Sequence, residues 1–195
     1  MSRRALLSTL SLTLVLSVAA LQAEVPSESD QIAGALAAAP EDRKEGAAVI
    51  GWNADGGNVT LREGSNDLIC LADDPAVDGF NAACYHKDLG AYMARGRDLK
   101  REGVKGMARS TTRFEEIEAG TLPMPDGPRA LYVTTGTSFD ASTGTVADAF
   151  TRWVLYVPGM TAEELGLSAS PGGEGPWLMG AGTPGAHIMI TPKKD

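Results

Sequence analysis

The residues that could do chemistry lie close together between positions 68 and 103. This stretch holds both cysteines, Cys70 and Cys84, one of the two histidines, His86, and a short acidic segment. Thiols, imidazoles and carboxylates are the groups that proteins use for redox chemistry, metal binding and proton transfer. The first question is whether these residues form a reactive site or serve the structure.

Cys70 and Cys84 are predicted to form a disulfide. Cys70 lies in the apolar run 68–71 (LICL), which predicts a buried strand, and Cys84 precedes a helical pattern. The bridge would therefore tie a strand to the start of a helix and close a loop of about 15 residues, worth about 3 kcal/mol. Two alternatives stay open. The cysteines could be reduced and buried, or Cys84 could be a thiolate activated beside His86.

The acidic segment supplies the first candidate ligand-binding residues, Asp73, Asp74 and Asp78, together with His86. Three carboxylates within six positions could hold a hard cation such as calcium, but their spacing matches no defined cation-binding motif. Solvated turn residues around a proline and a glycine explain the same pattern. No metal ligand is assigned on this basis.

A second pair of candidate ligand-binding residues, Ser138 and Asp140, lies in the polar segment 136–151. This segment is rich in glycine, serine and threonine and predicts a hairpin excursion or a mobile lid. The sequence GTSFD at 136–140 lacks the second glycine of the G-x-S-x-G nucleophile elbow, so a serine hydrolase is not supported.

The sequence GAGTPG at 180–185 matches G-x-G-x-x-G, but a dinucleotide site needs a helix directly afterwards. The residues that follow have a strand pattern, so a turn between strands is predicted. No catalytic residue and no cofactor is predicted anywhere in the chain.

An enzyme remains the competing hypothesis. His86 with the acids of 73–78, joined by His187, would form a metal or acid–base centre of a small exported hydrolase or metal-dependent enzyme. His187 lies in an apolar strand, where a packed histidine is the more typical interpretation. Because metal–ligand bonds are near 2 Å, two histidines more than about 10 Å apart could not share one metal ion.

Residues 1–23 have the pattern of a secretory signal peptide. Arg3 and Arg4 precede the uncharged apolar run 5–16, and cleavage is expected after Ala23, with residues 18–20 as the alternative cleavage signal. The pattern predicts a periplasmic or secreted protein, in which paired cysteines are favoured; an uncleaved anchor is the alternative. No further apolar run predicts a membrane span after cleavage.

Charge excludes one class of partner. Without residues 1–23, the chain has 15 basic and 25 acidic residues, a net charge of −10, which opposes binding to nucleic acid. The one cationic patch comprises Arg95, Arg97, Lys100 and Arg101 on a predicted amphipathic helix. It could bind an anionic partner, but a solvated helix face is the preferred interpretation.

The elements that must position these residues follow from periodicity and turn signals. The predicted helices are 26–39, 87–103, 110–120 and 161–166, and the predicted strands are 47–52, 58–61, 68–71, 130–135, 152–157, 176–179 and 187–190. The first three strands are expected to form an antiparallel meander. Residues 168–176 are expected to be a flexible Gly/Pro linker.

These patterns together predict one α+β domain over 24–195, with a mostly antiparallel sheet of five to seven strands and two or three helices on one face. The hypothesis for function is a non-catalytic exported module of the cell envelope. It would bind an unknown ligand or envelope protein at the edge between the 72–86 and 136–151 loops.

Overall fold

The computed structural model describes residues 24–172 and 175–191; the predicted signal peptide lies outside these residues. Within these residues there are four α-helices: α1 (Glu28–Leu36), α2 (Gly90–Arg101), α3 (Met107–Glu118) and α4 (Ala162–Leu165). The ten strands are β1 (Ala48–Trp52), β2 (Asn58–Arg62), β3 (Leu68–Leu71), β4 (Phe80–His86), β5 (Arg129–Gly136), β6 (Ser138–Asp140), β7 (Thr145–Ala147), β8 (Phe150–Tyr156), β9 (Trp177–Met179) and β10 (His187–Ile190). Single 3-10 turns occupy Glu41–Arg43 and Lys87–Leu89.

Eight strands form one sheet in the order β2-β1-β3-β4-β5-β8-β10-β9, and β6 and β7 form a separate hairpin. All neighbours in the large sheet are antiparallel except β1 and β3. The predicted α+β class with a mostly antiparallel sheet is therefore confirmed. The predicted count of five to seven strands was too low, because β4 had no expected counterpart.

The predicted meander of the first three strands was wrong. β1 lies between β2 and β3 and pairs with β3 in parallel. After β2 the chain passes back around the start of β1, where the amides of Ser65 and Asn66 both donate to the Gly46 carbonyl oxygen. The chain thus enters β3 in the same direction as β1, which a local hairpin pattern cannot show.

The disulfide joins two neighbouring strands. Cys70 of β3 lies directly opposite Cys84 of β4, with the two Cα atoms 4.0 Å apart and both residues fully buried. The predicted pairing is confirmed, and the alternatives of two free thiols or a Cys84 thiolate are excluded. The expected tie from a strand to a helix was wrong, since Cys84 lies inside a strand.

Helices cover both faces of the sheet, so the prediction of one covered face was wrong. α1 packs over Ala82 and Cys84, in a core that also contains Val49. The opposite face packs Tyr85 and Val154 against side chains of α2 and α3. We call these the α1 face and the α2/α3 face. All four residues of β3 are apolar, so the centre of the sheet needs cover on both sides.

Two local predictions near the end of the described chain are confirmed. Thr161 and Glu164 form a reciprocal capping box at α4. Residues 180–185 form the turn between β9 and β10, where a Cβ on Gly185 would overlap the ring of Phe114. Part of the expected linker is tied down, because the Leu178 amide donates to the Ser168 carbonyl oxygen. None of the described helices is both long and apolar enough to cross a membrane.

Removing the disulfide tests its contribution to stability. The double variant Cys70→Ala/Cys84→Ala should lower the free energy of unfolding by about 3 kcal/mol, because the unfolded chain loses a closed loop of about 15 residues. Urea denaturation at neutral pH measures this change. Wild-type protein unfolded in the presence of reductant should show a similar loss. A double variant within about 0.5 kcal/mol of the oxidised protein would contradict the prediction.

Candidate functional site

The described residues form an open groove of about 1070 Å³ on the α2/α3 face. It lies between α2, the first turns of α3 and the acidic loop 72–78, and its volume matches that of small-molecule sites. Its floor is apolar and is formed by side chains of β3, β4 and β5: Leu71, Ala83, Tyr85, Leu131 and Val133.

The floor follows from strand alternation. Leu71, Ala83 and Val133 are directly paired across β3, β4 and β5, so their side chains form one row on the α2/α3 face. Two small residues keep the space above this row open. Ala83 carries only a methyl group, and α2 passes the groove at Gly96, which has no side chain.

The wall of the groove is basic. Arg97, Lys100 and Arg101 come from α2, and Arg109 and Arg113 come from α3. Lys100 pairs with Asp74 and Arg101 pairs with Asp98. The other three arginines have no carboxylate within 4.0 Å among the described residues. The wall therefore carries three guanidinium groups that make no salt bridge with the described residues.

The predicted aspartates form the rim of this groove. Asp73 accepts a hydrogen bond from the Asn81 amide at 2.9 Å, and partial burial nevertheless raises the pKa of its carboxyl group. Asp74 lies 2.6 Å from the Lys100 ammonium nitrogen. Asp78 is exposed at the rim. The three predicted aspartates thus line one site.

His86 lies away from these aspartates, at the other end of β4. Its Nδ1 accepts a hydrogen bond from the Asp88 amide at 3.2 Å and so caps the turn that leads into α2. It is five residues along β4 from Asn81, the partner of Asp73, which corresponds to about 17 Å. His86 therefore does not join the acidic loop in one centre.

His86 and His187 do not converge either. Their strands, β4 and β10, are separated by β5 and β8, which corresponds to about 14 Å across the sheet. His86 follows Cys84 on the α1 face, whereas His187 precedes Met189 on the α2/α3 face. Within 24–172 and 175–191, no three His, Cys, Asp or Glu residues are grouped so as to hold a metal ion.

Ser138 and Asp140 lie outside the groove. Their hairpin, β6–β7, packs on the α1 side of the sheet through Phe139, whose ring centroid is 5.4 Å from that of Phe80. Asp140 accepts hydrogen bonds from the Ser142 hydroxyl and amide, which hold the pKa of its carboxyl group below the usual range. The two loops expected to form one surface therefore present their polar side chains on different sides of the sheet.

Sequence reasoning missed the arginines of α3. Arg109 and Arg113 are four residues apart on one helix, and the packing of α3 against α2 places them in the lining of the same groove as Arg97. One signal could have found them. Seven of the 17 basic residues of this acidic chain lie within 95–113, a density that a solvated helix face does not require.

An aromatic cluster closes one end of the groove. Tyr156 lines the groove, and its ring centroid is 5.7 Å from that of Tyr92 and 5.0 Å from the His187 imidazole. His187 Nδ1 lies 2.7 Å from the Gly185 carbonyl oxygen and donates its proton to it. Burial, reinforced by the positive charge of Arg113, lowers the pKa of His187 despite this hydrogen bond. Burial also raises the pKa of Tyr156, so this cluster is neutral at neutral pH.

Comparison with known proteins gives no family. No protein-family profile matches the chain, and no curated protein or solved structure is significantly similar to it.

The lowered pKa of His187 predicts a loss of stability in mild acid. Because its folded-state pKa lies below the usual value of about 6.5, the unfolded chain takes up the proton first, and stability falls as the pH drops below about 6.5. Melting temperatures between pH 7.5 and 5 should fall more steeply for wild type than for His187→Gln. Equal slopes, or an NMR titration midpoint for His187 above 6.5, would refute this explanation.

Proposed function

We propose that this protein is a non-catalytic binding module that holds a small ligand in the groove of the α2/α3 face. The observation that carries the proposal is the groove itself: about 1070 Å³, with an apolar floor, a basic wall and an acidic rim. Small-molecule sites combine these features, an apolar lining and a few polar groups that fix orientation.

Binding is better supported than catalysis because the reactive side chains are dispersed. Cys84 is buried in a disulfide, His86 caps a turn, and His187 packs against the Tyr156 ring. General acid–base or nucleophilic catalysis needs at least two such groups within hydrogen-bond reach of one substrate. The groove instead offers charged groups that can hold a ligand.

Export to the periplasm or the cell exterior forms the second half of the proposal. It is supported by the signal-peptide pattern of residues 1–23 and by the disulfide, since structural disulfides persist mainly in oxidising compartments. An envelope location would expose the groove to small molecules outside the cytoplasm.

Export can be tested directly. The full-length chain, produced in a bacterium with a periplasm, should be recovered from the periplasmic fraction with Glu24 as its first residue. Intact mass spectrometry should also show a 2 Da deficit for one disulfide. An uncleaved chain in the cytoplasmic fraction with two free thiols would contradict this half of the proposal.

Filling the groove tests the binding function. Octanol, octanoate and octylammonium share an apolar body and differ in charge, so at least one should cause saturable amide shifts at groove residues in NMR titrations. Ala83→Trp places an indole on the floor and should abolish these shifts. Ala91→Trp adds the same bulk at an exposed position of α2 and should preserve them.

Two results would contradict the binding function. In the first, none of the three octyl compounds shifts groove residues. In the second, Ala83→Trp, folded as judged by its amide spectrum, binds as wild type does.

A further inference from the structure

We propose that the ligand is an amphipathic anion, with its carboxylate or phosphate group held by Arg97, Arg109 and Arg113 and its apolar body on the groove floor. This inference rests on the proposed binding function and adds the chemical class of the ligand. Three groups of observations carry it: how arginines are paired across the molecule, how the groove arginines are held, and what lies beneath them.

Two arginines outside the groove, Arg95 and Arg129, are paired with acids, whereas Arg62 donates to backbone carbonyl oxygens and Arg43 makes no salt bridge among the described residues. Arg95 makes three hydrogen bonds of 2.8–2.9 Å to Glu116 and one of 2.8 Å to Glu102. Arg129 donates to Asp88 at 2.7 Å. Arg95 and Arg97 lie on the same helix. Arg97 lines the groove and, unlike Arg95, has no carboxylate partner among the described residues.

The absence of partners is notable because acids are abundant. The chain has 25 acidic and 17 basic residues, so carboxylates outnumber basic groups. Three arginines that line one groove without such a partner offer positive charge that an anion can neutralise. Guanidinium groups match carboxylate and phosphate oxygens with paired hydrogen bonds.

Two of the three arginines are held in place by groups that leave their charge intact. Arg97 donates to the Tyr85 hydroxyl at 3.2 Å. Arg113 lies over the Tyr92 ring at 4.0 Å and donates to the carbonyl oxygens of Arg109 and Tyr92 at 3.2 and 3.4 Å. Neutral acceptors and an aromatic face fix the side chains without an ion pair. Such preorganisation reduces the entropy lost on binding.

A fourth arginine borders the floor. Arg152 of β8 is paired directly with Val133 of β5, so both side chains project from the α2/α3 face. Its Nε is buried and has no hydrogen-bond partner within the described part of the chain. Buried donors are normally satisfied, and this one lies beside a residue of the groove floor.

The floor suits the apolar part of such a ligand. The row of Leu71, Ala83 and Val133 spans two strand spacings, about 10 Å. Tyr85 and Leu131 form a second row beside it. A short alkyl chain or an aromatic ring covers this area, and its burial there is favourable in proportion to the apolar area removed from water.

Isothermal titration of the full-length protein tests the class of ligand. The probes are octanoate, octyl phosphate, octanol and octylammonium, with inorganic phosphate as the headgroup alone. Octanoate or octyl phosphate should bind at least about tenfold more tightly than octanol and octylammonium, since each charge-assisted hydrogen bond contributes about a tenfold factor or more. The difference should shrink at high salt.

Arg109→Gln should weaken binding of the anionic probe about tenfold, because Arg109 has no side-chain hydrogen bond among the described residues and its loss leaves the helix packing intact. The matched control is Arg43→Gln, which removes the same charge from an exposed turn outside the groove. Arg97→Gln provides a second groove variant if Arg109→Gln lowers the melting temperature. Whichever of octanoate and octyl phosphate binds more tightly identifies the headgroup as a carboxylate or a phosphate.

The outcomes separate this inference from the binding function. If octanol or octylammonium binds in the groove as tightly as both anions, the class of ligand is wrong and groove binding stands. If no octyl probe binds, both proposals fail. If Arg109→Gln and Arg97→Gln leave the affinity for the anions unchanged, the assigned arginine contacts are wrong. If inorganic phosphate binds as tightly as octyl phosphate, the assigned contact of the apolar body with the groove floor is wrong.

Discussion

The structure depends on the pairing of β3 with β4 at the centre of the sheet, because β3 and most of β4 carry apolar side chains towards both faces. Each face must be covered, and the two covers differ in size. α1 presents small residues and comes close enough for the Cys84 sulfur to lie 3.4 Å from the Ala35 carbonyl oxygen. On the other face, Tyr85 and Tyr92 stand between the sheet and the helices. Large side chains keep α2 and α3 further from the strands, and the groove occupies the space where no large side chain fills the gap.

The same pairing fixes the acidic rim. Residues 71–83 leave β3 and return in β4, so the disulfide closes the base of the loop that carries the aspartates. Asp73 is tied to Asn81 at the start of β4, and Asp74 is tied to Lys100 on α2. A loop held at its base and at two of its carboxylates has few conformations left. The rim of the groove is therefore a defined edge.

A structural feature could be predicted from the sequence when the pattern that indicates it spans only a few neighbouring residues. The strands 68–71 and 187–190 and the capping box at Thr161 were predicted correctly, because short apolar runs and capping residues act within a few positions. β4 was missed because its alanines and asparagine have weak strand propensity and a helical pattern follows it. The aspartates of the rim were identified as a cluster in sequence. Arg109 and Arg113 were not, since only the packing of α3 against α2 brings them to the same groove.

The overall charge of the chain bears on how an anion would reach the arginines. A protein with a net charge of −8 repels anions at long range, so electrostatic steering does not favour their approach. Attraction begins only within about one Debye length of the groove, about 8–10 Å at moderate salt. Selectivity must then arise at contact, where the wall and the apolar floor act on the same molecule. A free inorganic anion interacts only with the basic wall, and it must still overcome the long-range repulsion. An amphipathic anion interacts with the wall and also buries its apolar part on the floor. This combination of charges therefore favours ligands that carry both features.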